Sequence, residues 1–356
     1  MGRGVKGVSC GEKGAYSLKV LVTGGTGFAG SHLVSRLVKK GDSVRVLVRK
    51  NSDIDYLKKL NVELCVGDVI DKNSTKVATK EIDVVYHIAA LFRQARFPDK
   101  IYWQVNVQGT QNMLEASYEE GVKRFVHCST IGVLGHIANP PADETHPYNP
   151  GDVYQRSKCE GEKLALKFFR DKKFPVVIAR PTAIYGPGDM RLFKLFKYVS
   201  SGRMIILGSG NSFYHLVYVE DLVTGFELCA QKENAIGQVY ILGGDRYLSL
   251  NELTNLIAKT LGVSLSKIHL PVFPVKVLSI LCEKACVLLR VEPPLHRRRV
   301  DFFTKSRAFN ISKAKRELGY KPGFDLETGL RLTGEWYREK GFLPELKVRT
   351  RERGSR

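Results

Sequence analysis

Residues Leu18-Lys19-Val20-Leu21-Val22-Thr23-Gly24-Gly25-Thr26-Gly27-Phe28-Ala29-Gly30 decide how this chain folds. A short, mostly apolar run ends in a glycine-rich turn, after which Leu33, Val34, Leu37 and Val38 recur at helical spacing. The pattern is strand, glycine turn, helix. Such a turn lets the backbone approach a pyrophosphate closely, while the N–H groups and dipole of the helix start stabilise the negative charge. Gly24, Thr26, Gly27, Phe28, Ala29 and Gly30 are therefore the first cofactor-binding candidates. The plain alternative is a tight turn that holds no ligand.

Working outward, residues 44–48, 63–66, 83–88, 124–128 and 176–179 read as further buried strands, with helical stretches at 104–120 and 155–170 among them. Six strands alternating with helices predict an α/β chain with a Rossmann-type, doubly wound parallel sheet. After Arg180 the rhythm loosens: Gly186, Pro187 and Gly188 punctuate a loop, and residues 250–261 stand as an isolated helix. This predicts a smaller, mostly helical C-terminal lobe that holds substrate over the carboxyl ends of the strands. The expected division is a flexible leader at 1–17, a dinucleotide-binding domain at 18–185 plus about 213–245, a substrate lobe at 186–212 plus 246–341, and a basic tail at 342–356.

Composition narrows the function classes. Hydrophobic residues at 43% and charged residues at 26% exclude a disordered or fibrous chain. The seven cysteines are odd in number, scattered and never spaced Cys-x-x-Cys, so neither a disulfide framework nor a metal site is expected, and a reducing, cytoplasmic setting follows. The most apolar late stretch, 271–291, is interrupted by Lys276, Glu283 and Lys284, which argues against a transmembrane span. Within it Leu278, Leu281, Ala285 and Leu288 form one stripe, opposite Lys276, Glu283 and Arg290. The favoured reading is a cap helix packed on the core; the alternative is peripheral contact with a membrane surface. The net charge of +20 comes without any nucleic-acid-binding motif, so it reads as steering of small anionic ligands and not as a nucleic-acid partner.

Two further sites follow from residue chemistry. An acid at the end of the second strand would hydrogen-bond a ribose hydroxyl, whereas an arginine accommodates a 2′-phosphate. Here the strand runs into Arg49-Lys50-Asn51-Ser52 with no acid before Asp53, so NADP is favoured over NAD. Farther on, Tyr154 and Lys158 stand four residues apart, which on a helix places both on one face. A nearby ammonium favours the phenolate, and the pair can then exchange a proton with a substrate oxygen.

In chain order the motifs are Thr23-Gly24-x-x-Gly27-x-x-Gly30, Gly67-Asp68-Val69, His87-Ile88-Ala89-Ala90, Asn106-Val107-x-Gly109-Thr110, Ser129-Thr130, Tyr154-x-x-x-Lys158, Arg180-Pro181-Thr182, Gly186-Pro187-Gly188-Asp189 and Val217-Tyr218-Val219-Glu220-Asp221. Together they resemble the extended short-chain dehydrogenase/reductase family, which holds nucleotide-sugar epimerases and dehydratases. The resemblance implies Tyr154 as acid/base and Lys158 as the group that holds the nicotinamide ribose and lowers the Tyr154 pKa. It implies Thr130 as the hydroxyl on the reacting oxygen, with Ser129 as runner-up. By the same resemblance Asp68 and Val69 would meet the adenine, Ala89 and Ala90 would line the dinucleotide, Pro181 would lie beside the nicotinamide, and the chain would form a homodimer.

Three departures bear on substrate. Ile131-Gly132 follows Thr130 where the dehydratases carry Asp-Glu, which disfavours elimination; Tyr214 stands where many nucleotide-sugar members have an arginine; and Leu134 replaces a frequent tyrosine. Residues 91–97, with Tyr102-Trp103, instead resemble the branch of dihydroflavonol reductases, 3β-hydroxysteroid dehydrogenases and hopanoid-associated epimerases. Arg93 and Arg96 are candidates for an anionic small-molecule substrate, Tyr185 and Tyr214 are further substrate-side candidates, and Arg297, Arg298 and Arg299 could hold a phosphate from the lobe. The expectation is hydride transfer at a secondary alcohol or ketone, of a sugar or nucleotide sugar first and of a sterol-like or flavonoid-like alcohol second. A non-catalytic nucleotide-binding regulator comes third, since Thr130, Tyr154 and Lys158 are all present.

Overall fold

Parallel strands covered by helices are buried on both faces, so they read as continuous runs of valine, isoleucine and leucine. In the computed structural model, which describes residues 17–92, 97–289 and 297–345, seven such strands form one sheet. Side chains at 280, 281, 283–289 and 297–299 are not among those described. The leader up to residue 16, Arg93, Arg96, Arg290 and the tail beyond 345 lie outside the described residues.

The strands are β1 (Lys19–Thr23), β2 (Ser43–Val48), β3 (Glu63–Val66), β4 (Val84–His87), β5 (Arg124–Cys128), β6 (Val176–Pro181) and β7 (Val239–Leu242). All pair in parallel, in the order β3-β2-β1-β4-β5-β6-β7. The doubly wound sheet is therefore present, with one strand more than the six expected. β7 is a four-residue run just after Gly237 and before Gly243, and it closes the edge beyond β6.

Side chains alternate between two cores. Val20 and Val22 face Leu33, Val34 and Leu37 of α1 (Phe28–Lys40), while Leu21 faces Met113 and Leu114 of α2 (Gly109–Glu119) and Phe168 of α3 (Val153–Lys172). α1 stops where Gly41 turns left-handed at φ +92° and donates to the carbonyls of Leu37 and Val38. α3 starts where the Asp152 carboxylate accepts the Gln155 N–H at 2.8 Å, which sets the face on which Tyr154 emerges. The helix expected at 104–120 begins earlier, at Asp99, and widens into a π turn at Gln104–Gln108 before α2.

A third core, including Tyr185, Phe196, Tyr214, Ile257, Leu330 and Tyr337, is built by the later chain. Helices Phe193–Ser200, Leu250–Leu261 and Leu326–Glu339 supply much of it, but three two-stranded sheets accompany them. The packed stripe expected at 276–290 is corrected at Leu278, which is 57% exposed on the helix Val272–Leu289. No described helix is long and apolar enough to cross a membrane.

Candidate active site

Because all seven strands run the same way, their carboxyl ends share one edge, and a cleft of about 590 Å³ opens there. Its floor is the glycine turn. Gly24 adopts φ +75°, and a Cβ on it would stand 2.8 Å from the Ala89 nitrogen; at Gly30 a Cβ would stand 2.1 Å from the Gly24 oxygen. Only glycine lets the turn fold this tightly under α1. Gly27 caps α1 without a side-chain hydrogen bond and no acid stands in the first turn, so no side chain there offsets the positive end of the helix at the cleft. These residues fit the pyrophosphate of NAD or NADP.

Behind the turn lies a line of buried polar groups. Thr23 Oγ1 accepts the Ala89 N–H at 3.2 Å and bonds His87 Nδ1 at 2.9 Å, while His87 Nε2 reaches Thr110 Oγ1 at 3.1 Å. Burial, reinforced by the charge of Lys158, pushes the His87 pKa down to about 3. A neutral imidazole thus joins the ends of β1 and β4 to α2. In the π turn, the Asn106 amide donates to Ser157 Oγ at 2.9 Å and its carbonyl accepts the Leu91 N–H at 2.8 Å, tying the end of β4 to α3.

Tyr154 and Lys158 emerge on one face of α3, and both line the cleft. Lys158 is almost fully buried and donates to the Cys128 carbonyl at 2.7 Å. Burial lowers its pKa, opposed by Cys128 and by the Glu162 carboxylate. The Phe92 ring meets Tyr154 edge-on, with centroids 5.0 Å apart. Thr130 lines the cleft as the cap of a short 3₁₀ turn, its hydroxyl oxygen accepting the Gly132 N–H at 3.1 Å. The Ser129 hydroxyl instead donates to Glu162. Glu162 also receives Arg180 at 2.6 Å and the Tyr148 hydroxyl at 2.7 Å.

Of the cofactor and catalytic candidates, all but Asp68 line the cleft; Asp68 borders an adjoining hollow of about 520 Å³ together with Arg49, Lys50 and Asp71. Tyr185 and Tyr214 do not line it. Tyr185 packs on Tyr218 and Tyr214 on Phe302, both within the lobe core. Sequence reasoning missed Ile184, Met190 and Arg191, which close the mouth of the cleft. The Arg191 guanidinium is held by Asp189 at 2.7 Å and lies 5.6 and 5.7 Å from the Phe28 and Phe92 rings. The signal available was the Gly186-Pro187-Gly188-Asp189 run, which brings the chain back over the cleft; nothing in composition singles out Arg191. Thr182 was also missed: its hydroxyl is buried at the cleft with no partner among the described residues.

Residues 20–243 match the family model described as the NAD dependent epimerase/dehydratase family. The chain belongs to this family, the extended short-chain dehydrogenase/reductases. It is an enzyme of the NAD-dependent epimerase/dehydrogenase type. A 3-beta-hydroxysteroid dehydrogenase of Mycolicibacterium neoaurum is 31% identical over 341 residues, spanning 88% of this chain and 89% of the relative. A UDP-glucose 4-epimerase of Vibrio cholerae is 30% identical over 329 residues, 89% of this chain and 94% of its own. The crystal structure of a UDP-glucose 4-epimerase from Thermotoga maritima with UDP-glucose superposes with a TM-score of 0.73 at 25% identity, covering 91% of this chain and 99% of that one. An enzyme of this type transfers hydride at an alcohol or ketone carbon, and Thr130, Tyr154 and Lys158 all line the cleft.

Proposed function

We propose that the protein is a nicotinamide-dependent dehydrogenase or reductase of an apolar, sterol-like secondary alcohol. The observation that carries this is the wall around Tyr154: Phe92 edge-on at 5.0 Å, with Leu91, Ile184 and Met190 along the same cleft. An apolar ring system buries well against such side chains, whereas a sugar needs several converging polar partners. Tyr214 supports the same reading, since its side chain is committed to the lobe core where an arginine would have met a substrate phosphate. In this reading Thr130 hydrogen-bonds the reacting oxygen, Tyr154 takes its proton on oxidation and returns it on reduction, and Lys158 holds the ribose. Bound NAD or NADP supplies the hydride acceptor or donor. Ser129 is spent on Glu162 and acts as part of the scaffold.

Sugar epimerisation, placed first by the sequence, is the second reading, and the UDP-glucose 4-epimerase likeness favours it. Incubation with a 3β-hydroxysterol and cofactor should raise the absorbance of reduced nicotinamide. Interconversion of a UDP-sugar with no net absorbance change, and no response to the sterol, would overturn the first reading.

NADP preference belongs to the same proposal. Arg49 borders both the cleft and the adjoining hollow, as a 2′-phosphate requires, although Asp68 and Asp71 share that hollow. Arg49→Ala should lower NADP affinity about tenfold while sparing NAD, since a charge-assisted hydrogen bond is lost. An unchanged ratio of the two affinities, measured by fluorescence titration, rejects the preference. A homodimer and a cytoplasmic setting are carried as parts of this proposal.

A further inference from the structure

The lobe carries an apolar face that its own core leaves uncovered. Strands Arg203–Leu207 and Ser266–Leu270 pair in parallel, so the register partners Ile205 and Ile268 lie side by side, and both are more than half exposed. Leu207 pairs with Leu270 on the same row, and the chain then turns directly into the helix Val272–Leu289. Val272 packs over Gly208, which sets the first turn of that helix beside the end of the strand pair. From this turn Phe273 projects with 77% of its surface in water, followed by Val277 and the exposed Leu278. Single exposed apolar residues are ordinary on a protein surface; a contiguous set drawn from two strands and a helix marks a site of contact.

The charge around this face identifies the occupant. Residues 192–219 hold Lys194, Lys197 and Arg203 and no acid; residues 253–282 hold Lys259, Lys267 and Lys276 and no acid. Among the described residues neither Arg203 nor Lys276 has a carboxylate partner, whereas Lys259 is engaged by Glu327 and Lys267, on the other side of the strand pair with the buried Met204, donates to the Asn251 carbonyl at 2.9 Å. The nearest acid on the neighbouring helix Arg297–Thr304, Asp301, is paired with Lys305 at 2.8 Å. A second copy meeting this face through a two-fold axis would set these cations against themselves. A surface of anionic lipid instead accepts the apolar side chains among its acyl chains and meets the cations with phosphate and carboxylate.

We infer that this face seats the protein on an anionic phospholipid surface, with Phe273 and Leu278 inserted and Lys276 at the headgroups. The contact is interfacial and leaves the helix on one side of the bilayer. It is independent of the substrate read for the cleft.

Co-sedimentation of the full chain with vesicles tests it, using phosphatidylcholine alone and phosphatidylcholine mixed with phosphatidylserine. The protein should pellet with the mixed vesicles at low salt, less with the neutral ones, and should be released as salt rises. Phe273→Asp combined with Leu278→Asp should lower the bound fraction about tenfold, with thermal midpoint and cofactor affinity unchanged because both side chains face water. Lys276→Glu should weaken binding to the mixed vesicles only. Wild-type protein that stays in the supernatant with mixed vesicles overturns the inference, as does a double variant that pellets like the wild type. A double variant whose only change is a halved mass in sedimentation equilibrium also overturns it, by assigning the face to a second copy.

Discussion

Single residues in this protein are governed by what burial does to a polar group. His127 on β5 is fully enclosed, packs 5.6 Å from the His87 ring, and has no hydrogen-bond partner for either ring nitrogen among the described residues. Burial, with the charge of Lys158 adding to it, holds its pKa well below the ordinary histidine range, as it does for His87 at about 3. Below an unfolded-state pKa of about 6.5 the unfolded chain takes up protons that the folded chain refuses, so stability must fall as pH drops from there toward the folded pKa values. Each such histidine contributes a slope of about 1.4 kcal/mol per pH unit. His127→Leu should remove one histidine's share of that slope and leave stability at neutral pH equal or higher, because an unpaired buried polar ring is exchanged for an apolar side chain. Urea unfolding at pH 7 and pH 5 measures this; a slope identical to wild type refutes it. Tyr154 offers the complementary case. Tyr154→Phe keeps the ring against Phe92, so cofactor affinity and thermal midpoint should persist while turnover drops by roughly 10²- to 10⁴-fold. Near-wild-type kinetics would remove Tyr154 from its role. Tyr154 and Lys158 were legible as a pair because helix geometry alone puts them on one face, whereas Arg191 was not, because its place at the mouth depends on the loop that carries it.

At the scale of elements, the glycine turn shows why some pieces of the fold can be read and others cannot. Its glycines are demanded by local geometry, so they stand in the sequence at positions that sterics dictate. Gly30→Ala would drive a methyl to 2.1 Å from the Gly24 oxygen and push α1 off β1. We expect a loss of about 1–3 kcal/mol of stability, the usual cost of overpacking, and at least a clear weakening of dinucleotide binding by titration; unaltered affinity would argue against the turn as the pyrophosphate site. The widened turn at Gln104–Gln108 carries no such signature, since it is held by Asn106 bonding to Leu91 and Ser157, contacts distant along the chain. β7 escaped notice for a different reason: four apolar residues do not distinguish strand from helix until a neighbour pairs with them. The exposed start of the helix Val272–Leu289 belongs here too, because an apolar stripe at helical spacing is compatible with core and with surface.

Across the whole molecule, a buried ion pair binds the sheet to the helix that carries Tyr154 and Lys158. Arg180 at the end of β6 and Glu162 on α3 are both withdrawn from water, and Ser129, Tyr148 and the Glu144 carbonyl complete their hydrogen bonds. Glu162→Ala would strand the guanidinium in the interior at a cost of about 3–5 kcal/mol. A thermal midpoint near that of wild type would show that water relieves the charge. The +20 surplus is also resolved at this scale: some of it lies in the ends of the chain, some beside the cleft at Arg49, Lys50 and Arg191, and some around the uncovered face of the lobe. By itself the sequence determined the parallel sheet, the glycine turn and the Tyr154–Lys158 pair, because each follows from periodicity or sterics within a few residues. Only the tertiary structure decided that the Ser129 hydroxyl serves Glu162 although Ser129 borders the cleft beside Thr130, that Tyr185 and Tyr214 are core, and that an apolar face remains outside. Those outcomes depend on which distant groups compete for a hydroxyl or cover a side chain, and that competition exists only once the chain is packed.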